Sequence, residues 1–339
     1  MTDFFETVRK YLIEYLPKQK CFTENTIRSY RQTLNLFVVY IRDVKQFPLT
    51  RIDFSIIDRN MILDFLGWLE TERNCCANTR NQRLMALRSF LDYAGKEDCA
   101  QIALYVTARN VPIKETQRKI VDFLSEEELS VLLRQPDCSK PKGIRDMMLM
   151  VLMYDTAARC SEILEITLED LRLDVQHPTV LLHGKGRKLR TVPLMPRTVQ
   201  HCKRYLHMFH PEQNGTDYLF YTVIHGERKQ MSRDNAEKII GKYGKRAKQS
   251  HPDLHEHIFP HMLRHTRAMH LYRSGMPLDL LSQFLGHASE ETTRIYAYAD
   301  TEMKRAAMEK ADASRKNGAP PVKSWVNDED TILMLSGLK

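Results

Sequence analysis

Three short stretches of this chain concentrate side chains suited to chemistry at a phosphate ester. Thr156-Ala-Ala-Arg-Cys-Ser-Glu-Ile163 carries Arg159, and Gly184-Lys-Gly-Arg-Lys-Leu-Arg-Thr-Val-Pro-Leu194 carries Lys185, Lys188 and Arg190. His261-Met-Leu-Arg-His265 leads on to Leu285-Gly-His-Ala-Ser-Glu-Glu-Thr-Thr-Arg-Ile-Tyr296, which adds His261, Arg264, His287 and Tyr296. Attack on a phosphodiester builds negative charge on its non-bridging oxygens, and fixed guanidinium forks hold that charge better than a mobile ammonium. Arg159 and Arg264 suit such a clamp. A tyrosine hydroxyl with a pKa of ~10 is nearly all neutral at pH 7 and needs a proton acceptor as it attacks. His261, three residues before Arg264 and able to share its helical face, is the candidate acceptor. The departing hydroxyl leaves poorly unless protonated, which a lysine at a hairpin tip can achieve from within a groove. An ester to tyrosine preserves the bond, so rejoining needs no nucleotide. In keeping with this, Gly184-Lys-Gly-Arg-Lys188 lacks the G-x-x-x-x-G-K-[ST] spacing of a P-loop.

Each of these residues alone has a plainer reading. Arg159 would pair with Glu162 along a helix, Lys185 would be a solvated turn lysine, and Tyr296 an ordinary core or surface tyrosine. Tyr298 competes with Tyr296 but falls on a different helical face. The cluster His251, His255, His257, His261, His265 and His270 hints at metal, and His261 with His265 has the i, i+4 spacing of a zinc helix. No Glu follows His261 and no cysteine pair lies near, so no metal is expected; His265 and His270 are read as helix-packing or hydrogen-bonding residues. Met147, Met148, Met150 and Met153 are read as core filling.

The elements that must position these groups follow from patterning. At 339 residues, 42% hydrophobic and 28% charged, the chain suits two globular domains. Its net charge of +8 favours a polyanionic partner without deciding the matter. Seven cysteines without a C-x-x-C pair, and no apolar leader, indicate reduced thiols in a cytoplasm. The longest apolar run, Met147 to Tyr154, is far short of the ~20 residues needed to span a bilayer, so no membrane partner is expected. Apolar steps of three and four at Ile27, Tyr30, Leu34, Phe37 and Ile41, at Ile62, Phe65, Leu66 and Leu69, and at Leu84, Leu87 and Leu91 predict an all-helical domain over residues 1–107. Arg80 and Arg83, just before the last of these stripes, are candidate DNA-phosphate contacts. Residues 108–120, polar, basic and broken by Pro112, read as an exposed linker. A second domain then spans 121–310. Ser125 and Glu128 fit a capping box at its start, 179–183 and 189–194 form a hairpin with Lys185 at the tip, and Gly286 suits a helix C-cap. Further helices are expected over 261–274, 277–285 and 289–297. Residues 311–339 form a tail whose apolar segment packs on its own domain or on a neighbouring subunit.

Taken together, the three stretches resemble the tyrosine recombinases, also called the phage integrase family, in its integrase and Xer-like forms, with six functional positions in the family's order. The resemblance extends to the N-terminal half, which is similar to the family's helical, SAM-like core-binding domain. It implies a mainly α protein in which the catalytic domain is mostly helical with a small antiparallel sheet, the two domains clamping DNA. It implies a site-specific recombinase, of integrase or transposase type, that cuts and rejoins double-stranded DNA through a 3′-phosphotyrosine without cofactor. Its catalytic set would be Arg159, Lys185, His261, Arg264, His287 and Tyr296. Lys185 would be the general acid, Tyr296 the nucleophile, and His287 would donate to the phosphate or steady the tyrosine. The implied partners are a homotetramer on paired sites and accessory DNA-bending or directionality factors. In place of the family's usual Gly two residues before the first arginine stands Ala157, so this turn is expected to be altered or helical. Two rival functions remain. A type IB topoisomerase shares the chemistry without strand exchange between sites, and a DNA-binding regulator with a dead site forms no adduct.

Overall fold

The computed structural model describes residues 3–116, 121–184, 188–212, 214–287 and 290–299, together with residues 305, 308 and 333. Lys185 and, apart from Leu333, the tail 311–339 lie outside the described residues. The chain divides into two compact units, Met1–Arg118 and Lys119–Lys339.

The first unit is helical throughout its described length. Helix α1 (Asp3–Lys10) runs into a π-helical turn, Tyr11–Gln19, and is followed by α2 (Glu24–Val39), α3 (Arg59–Thr71), α4 (Ala77–Glu97) and α5 (Ile102–Arg109). The apolar stripes do what their spacing requires: Ile27, Leu34, Phe37, Ile62, Phe65, Leu66, Leu69, Leu84, Leu87 and Leu91 all enter one core. Asp58 caps α3 by accepting from the Met61 amide at 2.7 Å. The stretch read as an exposed linker starts as part of this unit. Val111 is fully buried, Arg88 donates to the Ala108, Arg109 and Val111 carbonyls, and Lys114 pairs with Glu70. Polar composition had suggested solvent, whereas these side chains satisfy the segment's carbonyls.

The second unit opens with α6 (Glu126–Leu133), whose capping box is complete: Ser125 Oγ accepts from the Glu128 amide at 3.1 Å, and Glu128 accepts from the Ser125 amide at 2.7 Å. There follow α7 (Pro141–Thr156), α8 (Cys160–Glu165), strands β1 (Leu171–Arg172), β2 (Thr179–His183) and β3 (Leu189–Pro193), α9 (Pro196–Phe209), β4 (Tyr221–Ile224), β5 (Glu227–Gln230), α10 (Arg233–Ser250), α11 (Pro260–Arg273), α12 (Leu278–Leu285) and α13 (Arg294–Ala299). Strands β1, β2 and β3 form one antiparallel sheet, with Leu182 opposite Arg190 and His183 opposite Leu189. Val180, Leu182 and Val192 face the core beside Met148, Met150 and Met153 of α7. The pattern missed the β4–β5 hairpin. Strand β5, Glu-Arg-Lys-Gln, is polar and exposed throughout and β4, Tyr-Thr-Val-Ile, does not alternate; the cues were the β-favouring residues of β4 and the His225-Gly226 turn, where both residues have positive φ.

Candidate active site

Two helices end in left-handed residues and point their last carbonyls at one arginine. Helix α7 is capped by Ala157 (φ 47°) and α12 by Gly286 (φ 64°). Arg264, on the first turns of α11, donates to the Ala157 carbonyl at 2.6 Å and the Leu285 carbonyl at 2.8 Å. Carbonyls at helix C-termini lack intrahelical donors and carry partial negative charge, so a buried guanidinium is well placed there. Arg264 is only 1% exposed, and its pKa falls to about 10 because burial, then the neighbouring Arg159, disfavour the charge. It remains a cation at neutral pH. Ala157 is not helical. It holds the left-handed conformation despite a cost of roughly 1–2 kcal/mol for a residue with a Cβ, and its carbonyl is one of the two that receive Arg264.

Arg159 begins α8, where the Glu162 carboxylate accepts its backbone N–H at 2.8 Å and its Nη1 at 2.7 Å. The pairing expected as the plain alternative to catalysis is present, and the same carboxylate also takes a fork from Arg190 at 3.1 and 2.7 Å. Glu162 is 3% exposed. Burial alone would raise its pKa, but Arg190, the Arg159 amide and the Arg159 guanidinium outweigh it and hold the carboxyl at about 2. A carboxylate held below its unfolded value contributes stability that is present above the unfolded pKa and lost as the pH falls through the folded one. Glu162→Gln is therefore expected to lose on the order of 3 kcal/mol at pH 7. In urea unfolding the difference from wild type should shrink between about pH 4.5 and 2, the interval over which the wild-type carboxylate is itself protonated.

Tyr296 lies on α13, 1% exposed, with its ring among Ala157, Ala268, Met269, Leu281 and Leu285. Its hydroxyl meets His265 Nδ1 at 2.9 Å. The expected acceptor, His261, is one turn away on α11, its ring edge-on to His265 at 4.7 Å between centroids. In this conformation the direct partner of the hydroxyl is thus His265. Burial pushes the Tyr296 pKa up to about 12, against the pull of Arg264 and Arg159. Burial, followed by nearby His261 and Arg264, lowers His265 to about 4. His287 falls to a similar value through burial, Arg264 and Arg159. Both imidazoles are neutral at pH 7, and His287 Nδ1 is engaged by Thr293 Oγ1 at 2.8 Å. His265→Phe strands the phenol without this partner and is expected to cost about 1–3 kcal/mol and to slow DNA cleavage at least roughly ten-fold. Thermal unfolding and single-turnover cleavage check this. Unchanged cleavage would mean that the hydroxyl leaves His265 before it reacts.

The structure gathers five of the six predicted catalytic residues. Arg159 and His261 line an open cavity of about 250 Å³ together with Ser161, Arg233 and Glu237, while Arg264 and Tyr296 sit buried beside it and His287 is half-buried. The sixth, Lys185, is outside the described residues. Its hairpin is anchored next to Glu162 and Arg190, since a Cβ at Gly184 would lie 3.9 and 3.7 Å from them. Arg80 is 4% exposed and donates to the Asn81 side chain and the Pro112 carbonyl, so it holds the chain of its own unit. Arg83 is half-buried. His265 and the Glu162–Arg190 pair were available from the sequence only as spacings, i+4 from His261 and i+3 from Arg159, which do not distinguish support from function. Among the described residues no group of three or more His, Cys, Asp or Glu is arranged to hold a metal ion, and no helix is long and apolar enough to cross a membrane.

Comparison with known proteins agrees with this geometry. Residues 122–303 match the phage integrase family and residues 3–111 the phage integrase SAM-like domain. The chain is 32% identical over 305 residues to the Sinorhizobium fredii protein carried under the name integrase/recombinase y4rC, covering 89% of this chain and 90% of that one. It is 31% identical over 295 residues to tyrosine recombinase XerD of Staphylococcus epidermidis, covering 86% and 94%. Among solved structures, XerH site-specific recombinase in a post-cleavage complex with difH substrate superposes with a TM-score of 0.66 at 25% identity, over 84% of this chain and 80% of that one. The Tn1549 transposon integrase bound to transposon right end DNA shares the fold with a TM-score of 0.68 at 17% identity, over 91% and 99%. With the family matched over both halves and relatives above 30% identity along most of its length, the chain belongs to the phage integrase family of tyrosine site-specific recombinases.

Proposed function

We propose that Tyr296 is the nucleophile of this recombinase and that Arg159, Lys185, His261, Arg264 and His287 complete its site. The observation that carries the reading is that Tyr296 Oη meets His265, one helical turn from His261, while His261 and the Glu162-held Arg159 line one cavity. Tyr296 Oη gives up its proton to His265 Nδ1, its hydrogen-bond partner at 2.9 Å, as it attacks the scissile phosphorus and forms a 3′-phosphotyrosine. Arg159 and Arg264 stabilise the charge on the non-bridging oxygens, and Lys185 protonates the leaving 5′-oxygen. Since Arg264 and Tyr296 are each 1% exposed, productive binding of DNA must open this pair to the phosphate. The phosphate's negative charge then offsets the arginines that depress His287, favouring its protonated, donating form. The substrate is double-stranded DNA at two specific sites brought together by a homotetramer, and the event is movement or integration of a DNA element. The names of relatives, a XerD recombinase and a transposon integrase among them, support strand exchange over topoisomerase action.

The test is a suicide substrate: DNA nicked near a candidate site, incubated with the protein in EDTA and resolved on a denaturing gel. A slow-migrating adduct whose linked peptide contains Tyr296 is expected. Tight binding without adduct would overturn the reading in favour of a DNA-binding protein, and relaxation of supercoils without exchange between paired sites would favour a topoisomerase.

A further inference from the structure

We propose that Arg190 is a positioning residue that delivers the general-acid hairpin in register with the phosphate clamp. The inference rests on the phosphotyrosine reading, with Lys185 as the acid. Arg190 is the second residue of β3, and the β2–β3 connection it bounds contains Lys185. Its guanidinium forks onto both oxygens of Glu162, the carboxylate that also holds the side chain and amide of Arg159. On its other side it lies on the backbone of Gly286, the residue before His287. A Cβ there would come within 3.0 Å of Arg190 Nη1 and 3.2 Å of its Cδ and Cζ. The hairpin closes just beyond it, where the Gly184 N–H donates to the Lys188 carbonyl at 2.7 Å. One side chain thus ties together the segments that carry Arg159, Lys185 and His287. A two-point fork fixes orientation as well as distance, which an ammonium cannot do.

The plainer reading is an ion pair that stabilises the domain and nothing more. The two differ in the step they affect. As the Tyr296 Oη–P bond forms, the P–O5′ bond breaks, and the departing oxygen takes a proton from Lys185 Nζ. A substrate with sulfur in the 5′-bridging position leaves as a thiolate. With a thiol pKa near ~8.5 it needs no donor, so it bypasses the acid and whatever positions it.

The experiment measures single-turnover cleavage by the full-length protein of matched DNAs with 5′-oxygen or 5′-sulfur at the scissile bond. Lys185→Ala and Arg159→Ala serve as controls, and DNA binding is measured alongside. Arg190→Ala and Arg190→Lys should cleave the oxygen substrate roughly 10²-fold more slowly than wild type. On the sulfur substrate both should return to within about three-fold of wild type, as Lys185→Ala does and Arg159→Ala does not. Arg190→Lys keeps a charge opposite Glu162 and decides the matter if Arg190→Ala no longer binds DNA. Equal losses on both substrates would overturn the proposal in favour of simple structural support, as would no loss on either. Absence of any wild-type adduct with either DNA would instead defeat the underlying reading.

Discussion

Tyr296→Phe is expected to abolish the covalent adduct while leaving the protein folded and bound to DNA. The change removes one oxygen from a ring that stays packed among Ala157, Ala268, Met269, Leu281 and Leu285, so nearly all the buried apolar area is kept. What is lost is the hydrogen bond to His265, with a net value of roughly 0.5–1.5 kcal/mol. Half-buried His265 keeps its neutral imidazole, whose pKa lies near 4, so no charge is stranded. The chemical loss is expected to be complete because the oxygen removed is the proposed nucleophile. Urea unfolding and a gel-shift titration should therefore match wild type closely while the denaturing gel shows no adduct. An adduct that persists in this variant and disappears in Tyr298→Phe would move the nucleophile by two residues.

Arg264→Ala should be the most damaging change in the site, since it removes catalysis and architecture at once. Loss of one preorganised donor to a developing oxyanion typically slows such reactions by about 10²–10³-fold. The same substitution leaves the Ala157 and Leu285 carbonyls without their donor and empties space in the buried interior. A stability loss on the order of 3 kcal/mol is expected, readable as a shift of the urea midpoint. Arg264→Lys refills part of the space and restores a cation. It cannot reach both carbonyls in one plane, so it should recover part of the stability and little of the cleavage. Wild-type stability in Arg264→Ala would show that the two helix ends do not depend on the guanidinium.

Local rules carried much of this architecture. The i, i+3, i+4 stripes placed α2, α3 and α4 of the first unit, and Ser125 with Glu128 marked the start of α6 to the residue. The turn-forming Gly184-Lys-Gly run located the connection between β2 and β3. Hidden were features created only when distant segments meet. Nothing in Thr156-Ala-Ala-Arg159 reveals that Ala157 would take a left-handed turn, because the bonds that hold it there come from Arg264, more than a hundred residues on. His265 was read as a packing or hydrogen-bonding residue, but its partner, Tyr296, lies on α13 and could not be named from spacing. The burial of Arg80 was hidden for a related reason. Its charge suggested solvent, while its carbonyl acceptor, Pro112, comes from a segment whose polar composition suggested a free linker.

The capture of two helix ends by Arg264 bears on how copies of such a gene decay. A residue that serves chemistry alone can drift once selection relaxes, leaving a folded, DNA-binding remnant able to occupy sites and interfere with active copies. Arg264 offers no such route, because its loss also loosens the joint between α7 and α12. Inactive but well-folded descendants should therefore arise through changes at Tyr296 or Lys185, and keep Arg264 long after the last strand exchange.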